Sequence, residues 1–302
     1  MNIKEVEPTT QNIHKIIFEE DLSIVIDELV NLIFKEANEG IEEYARKQHV
    51  FDFINYYKIN PQEIYKWLLC NQNSSNSIYL LGYFFYHGIE TNINIKRAFG
   101  LIQKAAYLEN NVAQYDLANL YMDGEGVDKN YIKSFELSKK LADKEILSGI
   151  NKLGYCFDNG YGTDINKEKA FELYQKAAIL GNIKAQCNLA LMYKNGEGVE
   201  QNHEKAFGIS KKLAEEKHPS GISLLGYFYN IGVGTTVNNQ KAFELYQNAA
   251  YLGDCEAQYN LALMYEYGNG VEININHAIY WYEKSAKQGD KDAQKKLKLL
   301  KK

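Results

Sequence analysis

Residues 257–289 read AQYNLALMYEYGNGVEININHAIYWYEKSAKQG, and this stretch decides the fold. Leu261-Ala262, the aromatic Tyr265 and the glycine Gly268 follow one another in it at steps of three. The arrangement recurs upstream every 36 residues without insertion, at Leu225-Gly226, Leu189-Ala190, Leu153-Gly154, Leu117-Ala118 and Leu81-Gly82. Phe85, Tyr121, Phe157, Tyr193 and Tyr229 keep the aromatic position, and Gly88, Gly124, Gly160, Gly196 and Gly232 keep the glycine. A constant period of this length marks supersecondary units that bury their apolar faces against one another, so the chain is an array of six units.

The residues of one unit predict its shape. Gly149, Leu153, Gly154 and Phe157 share one helical stripe, which makes this segment a first helix, A, with a small residue where a neighbour approaches closely. Gly160 ends it, and a second glycine two residues later lets the chain reverse. The first unit has Glu90 at that second position, so its loop is expected to differ. Residues 169–178 form a second helix, B, with Ala170, Tyr174, Ala177 and Ala178 turned to helix A. A 72-residue beat overlies the 36. Odd units carry Leu-Gly and even units Leu-Ala, with Ser138 and Ser210 where Tyr174 and Tyr246 stand in the third and fifth. This alternation reads as duplication of a two-unit block whose B surfaces pack large residues against small ones.

The string from Ala257 to Gly289 resembles a Sel1-like repeat, through its alanine, Leu-Gly or Leu-Ala, aromatic, G-x-G-V loop, Trp281-Tyr282 and closing Ala286 and Gly289. The resemblance covers residues 77–290. It implies an all-α, right-handed α-solenoid related to tetratricopeptide arrays, serving as an adaptor or scaffold for a protein or peptide ligand, and it implies no catalytic residues.

Residues 1–76 fall outside the beat yet read as helical: Leu22 to Ala37 with Asp21 as N-cap, Ile41 to Tyr57, and a start at Asn60-Pro61. They are expected to cap the first unit around Tyr79 and Phe84, or to join the array to a missing domain. The second alternative rests on residues 29–40 and 62–73, which resemble a helical stretch found between a protein kinase domain and Sel1-like repeats, and it would make the chain a regulatory arm of a signalling protein. Residues 291–302 are expected to form a capping helix with Leu297, Leu299 and Leu300 on its apolar side.

Composition narrows the function. A formal charge of -5 argues against nucleic acid as a partner. The four cysteines and six histidines show no ligand spacing, so neither a metal nor a cofactor is expected. The G-x-G segments follow helices rather than strands, which makes them turns and not phosphate loops. Met1 to Gln11 shows no export signal and no apolar run is long enough to span a bilayer, so a cytoplasmic location and no membrane partner are expected.

A partner is expected on the inner surface made by successive A helices. The positions three before and one, four and five after each small anchor point there. They place Tyr79, Tyr83, Tyr115, Asn119, Asn151, Tyr155, Leu191, Lys194, Tyr227, Asn230, Tyr259, Leu263, Glu266 and Tyr267 in one groove. Tyrosine supplies rigid amphipathic area and asparagine pairs with the backbone of an extended ligand. The alternative is that these tyrosines fill the seams between adjacent A helices.

Overall fold

Six asparagines, Asn94, Asn130, Asn166, Asn202, Asn238 and Asn274, stand 36 residues apart, and the side-chain oxygen of each accepts the backbone N–H three residues on. The first N–H groups of a helix have no partner within it, so this acceptor fixes where every B helix begins. The computed structural model describes residues 19–300. Met1 to Gln11 and the last two residues lie outside the described residues. Six A helices, α4 (Ser75–His87), α6 (Asn111–Asp123), α8 (Leu147–Asn159), α10 (Ile183–Asn195), α12 (Pro219–Ile231) and α14 (Cys255–Tyr267), alternate with six B helices. The latter are α5 (Ile95–Tyr107), α7 (Tyr131–Asp143), α9 (Lys167–Ile179), α11 (His203–Glu215), α13 (Asn239–Tyr251) and α15 (Ile275–Lys287). Helices α1 (Glu19–Glu39), α2 (Glu43–Tyr56) and α3 (Pro61–Cys70) precede the array and α16 (Lys291–Leu300) follows it, with no strand among the described residues.

Each A helix ends on a left-handed glycine, Gly88 through Gly268. The loop of the first unit does not differ as expected, because Glu90 takes the same left-handed backbone, with φ of 53°. In the later units glycine is needed for a second reason. A Cβ on Gly126 would come within 2.7 Å of the Ile95 carbonyl oxygen, and Gly162, Gly198, Gly234 and Gly270 press on the start of the preceding B helix in the same way. The first unit has no preceding B helix, so Glu90 bears only the cost of its φ angle.

The 72-residue alternation is a packing rule. Leu-Gly units put glycine against a large B residue: a Cβ on Gly154 would lie 3.0 Å from the Tyr174 ring, one on Gly226 3.2 Å from Tyr246 and one on Gly82 2.9 Å from Ile102. In the second unit, Leu-Ala, the hydroxyl of Ser134 donates to the Ala118 carbonyl and buried Ser138 takes the place of tyrosine. Gly149 and Gly221 likewise sit against Leu141 and Leu213.

Helix α1 begins before Asp21, which therefore lies inside it and is not its cap. Asn60 caps α3, with Pro61 at the first helical position. Ile64 and Leu68 of α3 and Ile54 of α2 share one core with Tyr79 and Phe84. At the other end, Ala293, Leu297 and Leu300 of α16 pack on the last unit, whereas Leu299 is exposed.

Candidate functional site

Leu22, Ile26, Leu29, Val30, Ile33 and Ala37 recur every three or four residues along α1 and are all buried. The face they form meets α4, α6 and α8, the A helices of the first three units. The N-terminal segment therefore runs on across the face that was expected to receive a partner. Two helix starts explain how it is held. Ile146 and His218 begin α8 and α12 without a side-chain cap, although Asn110, Asn182 and Asp254 cap α6, α10 and α14 at equivalent positions. Asn38 supplies the missing acceptor to α8: its side-chain oxygen takes the Ser148 N–H at 3.1 Å, and its carbonyl accepts from the Asn182 amide at 2.9 Å. Ile146 is apolar because it packs with Ala37, Tyr115 and Leu141.

The turn into α2 lies deeper. A Cβ on Gly40 would come within 2.9 Å of the Lys184 nitrogen, and one on Gly253 within 2.7 Å of the Tyr44 ring. Glu42 accepts from Lys184 at 3.0 Å and from the Ser220 hydroxyl at 3.4 Å, a carboxylate placed at the positive ends of α10 and α12. The next residue, Glu43, lies 4.0 Å from His87 of the first unit. Successive residues thus reach units four and five on one side and unit one on the other.

From there α2 closes over the first two units. Arg46 is buried, and although burial opposes its charge, Asp116, with Tyr115, Glu43 and Tyr83 around it, holds the guanidinium above its ordinary pKa. Lys47 donates to the His87 carbonyl at 2.9 Å, completing the end of α4. Burial, with Lys47 and Arg46 alongside, pushes the His87 imidazole down to about 3, so it is neutral and packs at a tilt of 56° against the Tyr83 ring, centroids 4.1 Å apart. A cavity of about 30 Å³ remains among Glu43, Arg46, Tyr83, Tyr86, His87, Asp116 and Asn119.

This lid divides the expected groove. Tyr79, Tyr83, Tyr115 and Asn151 are buried, and Asn119 lines the cavity against α2. The first half of the predicted surface is closed by the chain itself, and Tyr79 is tied through its hydroxyl to Asp116 at 2.7 Å. Tyr155 is 37 % exposed. Leu191, Lys194, Tyr227, Asn230, Tyr259, Leu263 and Glu266 are half-buried, and Tyr267 is exposed. The charges on the open half are used internally: Lys194 donates to the Tyr227 hydroxyl at 2.9 Å, and Glu266 accepts from Lys296 of α16 at 2.8 Å. Sequence reasoning missed Asn38, Glu42, Tyr44 and Arg46. The signal that bears on them is Ile146, an apolar residue in a column of caps.

The Sel1 repeat family matches residues 75–110, 111–145, 147–182, 183–218, 219–254 and 255–290. The chain belongs to the Sel1 repeat family. Sel1 repeat proteins are in general protein–protein interaction modules, built on a non-catalytic scaffold. The chain is similar to a protective antigen of uropathogenic Escherichia coli strains with an SLR fold, at 28% identity and a TM-score of 0.51, over 79% of this chain and 51% of the antigen. It spans about half the length of that relative. A Sel1 repeat protein from Oxalobacter formigenes shares the fold at 22% identity and a TM-score of 0.58, with 88% of this chain and 96% of that one covered. An immunity protein from Pseudomonas aeruginosa does so at 20% identity and a TM-score of 0.53, covering 70% and 81%. No curated protein matches the chain. Among the described residues, no helix is long and apolar enough to cross a membrane, and no cluster of three or more histidine, cysteine or acidic side chains is placed to hold a metal.

Proposed function

We propose that this Sel1 repeat protein is a binding module, not an enzyme, that takes a helical segment of a partner protein on the open A-helix face of units four to six. One observation carries this reading: the same face in units one to three is filled by an amphipathic helix, α1, with its apolar stripe buried against α4, α6 and α8. A surface built by one repeating residue pattern presents similar chemistry along its length, so the chain's own helix stands in for the ligand the remaining units suit. The half-buried Leu191, Tyr227, Tyr259 and Leu263 offer an apolar strip bordered by Asn230 and Tyr267. This shifts the expected ligand from an extended peptide to a helix. The buried faces of α1 and α2 are spent on the array, which favours this role for them over that of a joint to a signalling domain.

The test is capture from the native source, comparing the intact protein with a Leu191→Asp, Leu263→Asp variant of unchanged helix content. A partner enriched by the native protein and lost from the variant is the expected result. Equal capture by both would remove the open face from consideration.

A further inference from the structure

Three columns of the repeat change character together around Tyr265. In units one to five a cation of the B helix lies over the aromatic ring of its A helix: Arg97 over Phe85 at 4.1 Å, Lys133 over Tyr121 at 5.0 Å, Lys169 over Phe157 at 4.2 Å, Lys205 over Tyr193 at 5.1 Å and Lys241 over Tyr229 at 4.4 Å. The sixth unit has His277 there, its ring 5.0 Å from that of Tyr265. Three residues on, a column of Gly100, Glu136, Glu172, Gly208 and Glu244 ends in Tyr280. The next column, leucine or isoleucine in every earlier unit, ends in Trp281. The permanent cation is gone, and a glycine or carboxylate and an aliphatic group have each become an aromatic ring.

The result is a pocket. Tyr251, Tyr265, His277, Tyr280 and Trp281 line an open cleft of about 280 Å³ at the seam of units five and six. Tyr251 meets Trp281 edge-on at 5.2 Å and 82°, and Tyr280 meets it at 5.0 Å and 82°. The cleft is walled by aromatic rings, whose π-faces are negative, and in five sister units the A-helix ring at this place is matched by a positive charge. No carboxylate lines the pocket. A primary ammonium would have to give up strong hydration there without an ionic partner, whereas a methylated ammonium is weakly hydrated and fills such a space by contact. Lys284 reaches Tyr280 from outside the lining, at 5.5 Å, and does not fill the pocket.

We propose that the aromatic pocket between units five and six binds a quaternary ammonium group, the external counterpart of the lysine or arginine that every earlier unit carries at this position. The chain has two tryptophans, Trp67 and Trp281, so Trp67→Phe leaves the pocket residue as sole reporter. In that background the intact protein is titrated at pH 8 with choline and, separately, with 3,3-dimethyl-1-butanol, its uncharged isostere. The fluorescence of Trp281 is expected to saturate with choline and not with the isostere. His277→Lys recreates the arrangement of the other units, keeps the fold, and is expected to weaken choline binding about tenfold or more by placing a tethered cation over Tyr265. Tyr251→Ala, at an exposed ring, should weaken it as well. Flotation with phosphatidylcholine vesicles separates two sources of the group. Vesicle binding without a response to free choline assigns a lipid headgroup, and a response to free choline assigns a small molecule. A response to neither, equal binding of the isostere, or full binding by the His277→Lys protein would overturn the proposal.

Discussion

Asp254 shows how one residue can oppose the cap it provides. Its side chain accepts the Ala257 N–H at 2.7 Å at the start of α14, where Asn110 and Asn182 do the same for α6 and α10. Unlike those amides it is a buried acid. Burial, with Glu256 and Glu42 nearby, pushes its carboxyl from 3.8 up to about 7, against the pull of the Ala257 N–H and the Ser223 hydroxyl. The folded protein thus holds this proton more tightly than the unfolded chain. The stability it contributes is complete below pH 3.8 and is lost as pH rises through about 7. Asp254→Asn is expected to raise Tm at pH 8 and to leave it nearly unchanged at pH 4. An equal shift at both values would show that the carboxyl does not titrate in this window. The asparagine column that opens the B helices recurs in phase and is legible in the sequence as a repeat. Its service as an acceptor at each B-helix start, from Asn94 to Asn274, shows only in the structure, and the groove residues Asn119, Asn151 and Asn230 stand in other columns.

At the scale of the helix pair, the alternation of Leu-Gly and Leu-Ala predicts a coupled substitution. Gly154→Ala forces a methyl group against the Tyr174 ring and is expected to cost about 1–3 kcal/mol. Tyr174→Ser alone opens a cavity in a site that is now fully buried, at about 3–5 kcal/mol. Together they write the residues of an even unit into an odd one, so the double variant should lose less than the sum of the two by about 1 kcal/mol. Denaturant unfolding of the four proteins measures the difference, and strict additivity would mean the two columns do not answer each other. This level was readable from sequence because the partners recur in phase. The Glu90 loop was misread because a missing neighbour, and not the residue's own φ preference, decides whether glycine is required there.

For the molecule as a whole, the lid formed by α1 and α2 was the part hidden from the sequence. Its bonds join residues 110 and 144 positions apart, and no period links residues 19–56 to the units they touch. Asn38→Ala should leave the Ser148 N–H unpaired and cost about 1–3 kcal/mol. Hydrogen exchange at that amide is expected to speed up, while amides in α13 and α15 keep their rates. Unchanged protection at Ser148 would show that α8 does not depend on the contact. Solenoids commonly fold by adding one unit to the next, yet here α1 finds its last hydrogen-bond partners only after Ser148 and Asn182 have been synthesised, and the turn into α2 only after Lys184 and Ser220. Helix α1 is therefore translated before the units that seat it. Its apolar stripe waits until the third unit is made, a period in which the nascent chain exposes a face suited to chaperones or to wrong partners.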